Sequence, residues 1–126
     1  MLKVLLVGAG GCVGSIARYA LGGWVQGLTT GMFPWGTLTV NALGCLAIGI
    51  VSELAELRGL LPQEMRALIV AGFLGGFTTF SAFGNETVNL LRDRDWTLAS
   101  ANVAGHLVVA VGSVWLGRVA AHLVWR

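Results

Sequence analysis

A short set of polar residues lies inside otherwise apolar stretches of this sequence: Arg18, Thr37, Thr39, Asn41, Thr78, Thr79, Ser81, Asn85, Glu86, Asn102, His106 and Ser113. Polar groups carried into hydrocarbon are costly, so each is a functional hypothesis until a structural duty is found for it. Arg18 falls within or at the end of the first apolar tract, which holds no acidic residue. A cation path would be expected to place a carboxylate there, so the sign of the charge points toward an anion. The plainer duty of Arg18 is to snorkel to the interface. Asn41 sits among Leu, Val and Ala and can offer its amide donors to an anion or to a neighbouring helix. Thr37 and Thr39 are weaker candidates, because their hydroxyls can bond back to their own helix. Glu86 either lines a polar path, ends a helix beside water, or pairs with a cation. His106 is either a neutral structural side chain or a titratable donor.

The densest signal runs from Gly72 to Phe83, where a doubled glycine is followed by two threonines and then by Phe80, Ser81 and Phe83. Such a run makes a poor continuous helix, and it predicts a break within 75–79. A break at membrane depth frees backbone carbonyls, which suit a small cation such as sodium. The alternative is a local kink healed by the threonine hydroxyls. Phe80 and Phe83 are three apart and share one helical face. The edge of a ring is positive, so edges turned toward a path would attract an anion without holding it tightly. From spacing alone, packing or lipid contact explains the pair better.

These residues need elements to carry them. Of the 126 residues, 56% are hydrophobic and 11% charged, where soluble domains average about 25% charged, which argues against a water-soluble fold. About 20 helical residues cross a hydrocarbon core about 30 Å thick. The tracts that qualify are Leu2 to Trp24, Gly36 to Leu57, Met65 to Leu91 and Trp96 to Trp125, four in all, with connections too short for a soluble domain. The first tract lacks a small-residue cleavage site and reads as a mature helix rather than a signal peptide. Trp24, Trp35, Trp96 and Trp125 mark tract ends, where indole rings sit among headgroups. Cys12 and Cys45 lie inside tracts and read as small packing residues. The pairs Gly10 and Gly14, Gly72 and Gly76, Gly44 and Gly49, and Gly112 and Gly117 are expected to let helix backbones approach closely.

Residues 3–14 look like a strand entering a dinucleotide-binding glycine loop, but residues 28–35 contain no acid and no second strand follows. Nucleotide binding is rejected on that ground, and no catalytic triad, metal cluster or phosphate loop survives its context. An even number of spans puts both termini and the second connection on one side. Lys3, Arg58, Arg66, Arg126 and possible contributor Arg118 then oppose Arg92, Arg94 and Arg18. The positive-inside bias is weak, which favours insertion both ways and an antiparallel homodimer, with inverted symmetry built across two chains.

Taken with these motifs, the sequence resembles the Fluc (CrcB) family of microbial fluoride channels. The resemblance covers essentially the whole chain: the glycine-rich first tract ending in Arg18 and Tyr19, the segment from Gly36 to Asn41, the run from Gly72 to Phe83, and the stretch from Asn102 to Gly105. It implies an all-α membrane protein, a single domain over 1–126 with four transmembrane helices and a broken third helix, paired as a dual-topology antiparallel homodimer. It further implies two fluoride pores along the subunit interface and a buried structural sodium ion (Na+) at the dimer centre. Phe80 and Phe83 correspond to pore-lining phenylalanines, Asn41 to the pore asparagine, and Gly75 and Thr78 to the residues whose carbonyls hold sodium. Thr39, Ser81 and Glu86 fall at or near the polar track, and His106 and Arg18 join the candidate pathway. The expected partners are fluoride, sodium, the lipid bilayer of the cell inner membrane and a second copy of the chain, with no nucleic acid. The expected role is passive export of cytoplasmic fluoride, conferring fluoride resistance. Two departures stand out: Ala82 where the family usually has threonine, and His106 where a small hydroxyl residue is common. The competing reading, a small four-helix proton-coupled cation or drug exporter, would carry an acidic residue in the first helix.

Overall fold

The computed structural model describes residues 1–125, and the side chains of these except Leu57 and Arg58. The charges weighed for orientation at Arg58 and Arg126 therefore lie outside the described residues.

Helix α1 (Leu2–Gly27) has 26 residues, and at 1.5 Å per residue it rises about 39 Å, more than a hydrocarbon core needs. Helix α2 is Trp35–Arg58. The third span is compound: α3 (Gln63–Arg66), a π-helical stretch Ala67–Leu74, α4 (Gly75–Phe77) and α5 (Phe80–Arg92). Helix α6 is Trp96–Val124. Among the described residues four segments are long and apolar enough to cross a membrane, Leu2–Gly27, Trp35–Glu56, Gln63–Arg92 and Trp96–Val124. The chain is an all-helical, multi-pass membrane protein.

Local chemistry sets the ends. Gly59 adopts φ 56°, a left-handed turn that closes α2 as its N–H returns to the Ala55 carbonyl at 3.2 Å. The Asp95 carboxylate accepts the Leu98 N–H at 3.0 Å and opens α6. Gln26 clamps the first connection: its Nε2 donates to the Phe33 carbonyl at 3.1 Å, and its Oε1 accepts the Gly36 N–H at 3.0 Å. At the opposite end Lys3 hydrogen-bonds to Gln63.

In lipid the hydrophobic effect does not drive helices together, so close backbone contact through small residues matters most. α1 lies along the π-helical stretch and α4. A methyl on Gly10 would strike the Leu68 carbonyl and the Phe73 N–H, and one on Gly14 would strike the Phe73 carbonyl. α2 lies along α6, where Gly49 meets the Val114 backbone and Gly117 meets Leu46 and Ile50. Two expected packing glycines behave differently. Gly44 faces the methyl of Thr78 rather than a helix backbone, and Gly112 has nothing within 4 Å of where a Cβ would stand. Spacing identifies small neighbours on a helix but not which face is covered.

The third span leaves α1 after α4 and passes to α6 through α5. Beyond Glu53, α2 and α6 are tied by charge: Arg118 makes a bidentate pair with Glu56, both contacts 2.9 Å, and reaches Glu53 at 3.4 Å, while His122 Nδ1 lies 3.2 Å from Glu53. Large apolar side chains cover the outside, among them Leu107, Val108, Val111 and Trp115, as a lipid-facing or partner-facing surface requires.

Candidate functional site

The site is organised by two residues of extended backbone. Thr78 (φ −84°, ψ 158°) and Thr79 (φ −151°, ψ 119°) separate α4 from α5. Within the 75–79 window Gly75 and Gly76 are helical, and the two extended residues are the threonines. β-branched residues favour extended backbone, and Thr79 is held there by a further device, since its Oγ1 accepts the Ala82 N–H at 3.2 Å and so caps α5.

An interruption at membrane depth must satisfy its released backbone groups, and two side chains, Asn41 and Arg18, do so. Asn41, 8% exposed, pairs with Thr79 twice: Nδ2 donates to the Thr79 carbonyl at 3.0 Å, and Oδ1 accepts the Thr79 N–H at 2.8 Å. Of the two duties open to Asn41, the neighbouring segment takes Oδ1 and one amide hydrogen. Arg18 Nε donates to the Gly76 carbonyl at 3.0 Å, so this guanidinium is anchored to the third span. Thr78 Oγ1 donates to the Leu74 carbonyl at 3.0 Å. In an unbroken helix the Thr79 N–H would serve the Gly75 carbonyl. Asn41 takes that N–H instead.

Two recesses flank the interruption. One, of about 430 Å³, is lined by Asn41, Gly75, Thr78, Thr79, Phe80, Phe83, His106 and Cys45 among others. Phe80 is 83% exposed, and its ring lies 5.3 Å from that of Phe83 at 49°. The Phe83 ring in turn lies 4.4 Å from the His106 imidazole. The second recess, of about 420 Å³, is lined by Arg18, Thr37, Glu86, Thr79 and Ala82 with the α1–α2 connection. Thr37 does not bond back to its own helix; its hydroxyl donates to Glu86 Oε1 at 2.6 Å. Glu86 thus has a hydroxyl partner and not a cation, and its Oε2 has no hydrogen-bond partner among the described residues.

The structure therefore brings Asn41, Phe80, Phe83, His106, Gly75 and Thr78 to one recess, and Arg18 and Glu86 to the other. Thr39 and Ser81 line neither; Ser81 is exposed, with its hydroxyl 3.2 Å from that of Thr79. Sequence reasoning placed Thr79 among the polar residues but gave it no site role, although it lines both recesses and partners Asn41. The signal was available: a threonine three residues before Ala82, at the start of a helical run, is an N-cap pattern. Behind Phe83 lies a polar chain that spacing could not reveal. Thr87 Oγ1 donates to the Phe83 carbonyl at 2.8 Å, Asn102 Nδ2 donates to Thr87 Oγ1 at 2.9 Å, and His106 Nδ1 meets the Asn102 carbonyl at 3.0 Å. Cys12 and Cys45 are both free thiols.

Comparison with known proteins gives a consistent answer. Residues 5–118 match the profile of a family described as CrcB-like protein, Camphor Resistance (CrcB). Among curated proteins, the fluoride-specific ion channel FluC of Opitutus terrae is 47% identical over 123 residues, 96% of this chain and 93% of that one. The protein of the same name from Geobacter sulfurreducens is 44% identical over 121 residues, covering 96% and 98%. That of Geobacter metallireducens is 43% identical over 117 residues, covering 93% and 94%. With near-complete coverage in both directions and the family profile spanning all four helices, this chain belongs to the CrcB family.

Proposed function

We propose that this chain is a fluoride-selective channel of the cell inner membrane, that it exports cytoplasmic fluoride passively and so confers fluoride resistance, and that it works as an antiparallel, dual-topology homodimer. The observation that carries the reading is the exposed Phe80 ring beside Phe83 at the mouth of a recess whose polar atoms come from Asn41, Thr79 and His106. The relatives' name as fluoride-specific channels supports the choice of ion.

Fluoride is small and strongly hydrated, so a selective path replaces its water with hydrogen-bond donors while leaving binding weak enough for exit. In the recess the free amide hydrogen of Asn41 and the edges of Phe80 and Phe83 are donors of that kind, the Ser81 hydroxyl stands outside it beside that of Thr79, and Arg18 and Glu86 flank the second recess. No redox centre or nucleophile is needed for such conduction. The pairing of two chains follows from cost. A recess holding Asn41, Thr79 and His106 opens at membrane depth, and lipid cannot satisfy polar atoms. A second, inverted copy closes it. Sodium fits the same seam: the carbonyls of Gly75 and Thr78 are hard oxygen donors, and the Gly75 carbonyl has lost its helical N–H to Asn41. Bound there, the ion supplies positive charge that ties carbonyls of both chains together.

The test is flux from vesicles holding purified protein. Fluoride should leave with little accompanying chloride, and Asn41→Asp and Phe80→Ile should each slow fluoride about tenfold or more, a barrier change near 1.4 kcal/mol. Equal passage of the two halides would overturn the reading.

A further inference from the structure

Helix α5 carries a row of polar side chains that line neither recess. Ser81, Asn85 and Asn89 follow one another at every fourth position, so they share one strip of the helix, and all three are exposed. Arg92, in the last turn and also exposed, continues the strip. At 1.5 Å per residue the strip rises about 16 Å from Ser81 to Arg92, half of a hydrocarbon core about 30 Å thick. Its inner end is fixed, because the Ser81 hydroxyl lies 3.2 Å from that of Thr79, the residue that lines both recesses near the middle of the Gln63–Arg92 span. Its outer end is the end of that span.

Facing lipid would leave these groups unsatisfied. Each Asn amide brings two N–H donors and a carbonyl, and hydrocarbon pairs with none of them. The chain's own packing lies elsewhere on α5. Phe83 and Thr87 meet His106 and Asn102 of α6, Leu90 is buried, and Ala82 and Glu86 line the second recess. The other half of the span has no such strip, since Ala67–Leu74 carries no polar side chain. The third span is therefore polar on the outside in one leaflet only.

We propose that Ser81, Asn85 and Asn89 form a hydrated half-path for fluoride, from the interruption at the bilayer centre to Arg92 at its face, with the Asn85 amide as a donor position for the ion on the way. The inference rests on the reading of the chain as a fluoride channel. Neutral amides about 6 Å apart along the helix offer the anion successive weak sites, and weak, repeated sites let an ion both enter and leave. The Arg92 guanidinium raises the anion concentration at the mouth. One chain supplies the strip to one leaflet, and an inverted copy supplies it to the other.

The experiment uses single cysteines in a Cys12→Ala, Cys45→Ala chain: Asn85→Cys, Asn89→Cys and, as an apolar control at matching depth on α6, Val103→Cys. Purified protein in vesicles meets a membrane-impermeant cationic methanethiosulfonate on both faces. Because that reagent attacks a hydrated thiolate, Asn85→Cys and Asn89→Cys should label at least about tenfold faster than Val103→Cys, and labelled Asn85→Cys should conduct fluoride more slowly. Asn85→Leu tests the donor itself: it should melt no lower than wild type and slow fluoride about fivefold or more. Labelling of Asn85→Cys no faster than that of Val103→Cys, or wild-type flux in Asn85→Leu, overturns the proposal and leaves the channel reading standing. So does a loss of flux in Asn85→Leu that comes with a lower melting temperature and separated chains, the mark of an amide that binds a second helix. Wild type without fluoride flux overturns both.

Discussion

At the scale of single residues, Asn41 holds the interruption in shape before it can serve any ion. Its side chain gives Thr79 the two hydrogen bonds that a paired strand would give. We expect Asn41→Ala to leave the Thr79 N–H and carbonyl unpaired at membrane depth and to lower stability by about 1–3 kcal/mol, read as a lower melting temperature in detergent. Thr79→Ala keeps the backbone pair and loses the cap on Ala82, so it should cost about 1 kcal/mol. An Asn41→Ala variant that lost flux while melting like wild type would show that the side chain only contacts the ion. Asn41 stood out in the sequence because a lone amide among Leu, Val and Ala is conspicuous. Its partner did not, because the partner is backbone released only once the span is interrupted. Thr37 likewise finds Glu86 across 49 positions of sequence, a distance over which spacing carries no information.

At the scale of elements, the glycines set how closely helices lie, and their effects should be sharply position-dependent. Gly14 presses on the Phe73 carbonyl, whereas Gly8, on the same helix, has nothing within 4 Å. Gly14→Ala should therefore destabilise by about 1–3 kcal/mol, the usual cost of overpacking, and Gly8→Ala should melt no lower than wild type. Thermal unfolding of the two variants side by side checks this. Equal behaviour would mean that α1 and the π-helical stretch do not touch as described. Four apolar tracts were legible because hydrocarbon thickness fixes their length, and their ends were off by no more than three residues: α1 runs to Gly27 rather than Trp24. The π-helical turns of Ala67–Leu74 were not legible, since those residues are ordinary helix formers apart from Gly72. Nor was the facing of Gly112, because small-residue spacing is the same on a covered and an open face.

At the scale of the whole molecule, the cations that would orient the chain are divided between its two sides. Lys3, Arg66 and Arg118 stand towards one, and Arg18, Arg92 and Arg94 towards the other. Orientation follows Lys and Arg close to the span ends, so a few added cations should decide it. Leu60→Lys with Leu61→Lys loads the connection between the second and third spans. Gly27→Lys with Thr30→Lys loads the opposite side, at positions exposed in the fold. If the working unit is an inverted pair, each double variant expressed alone inserts one way and lacks its partner, so cells should lose fluoride resistance. Expressing the two together restores antiparallel pairs and with them resistance. Fluoride efflux from cells carrying one variant, the other, or both is the measurement. Full efflux from either variant alone, with its orientation verified as uniform, would mean that parallel chains or a single chain can conduct, and the recess beside Phe80 would then need some other cover than an inverted copy.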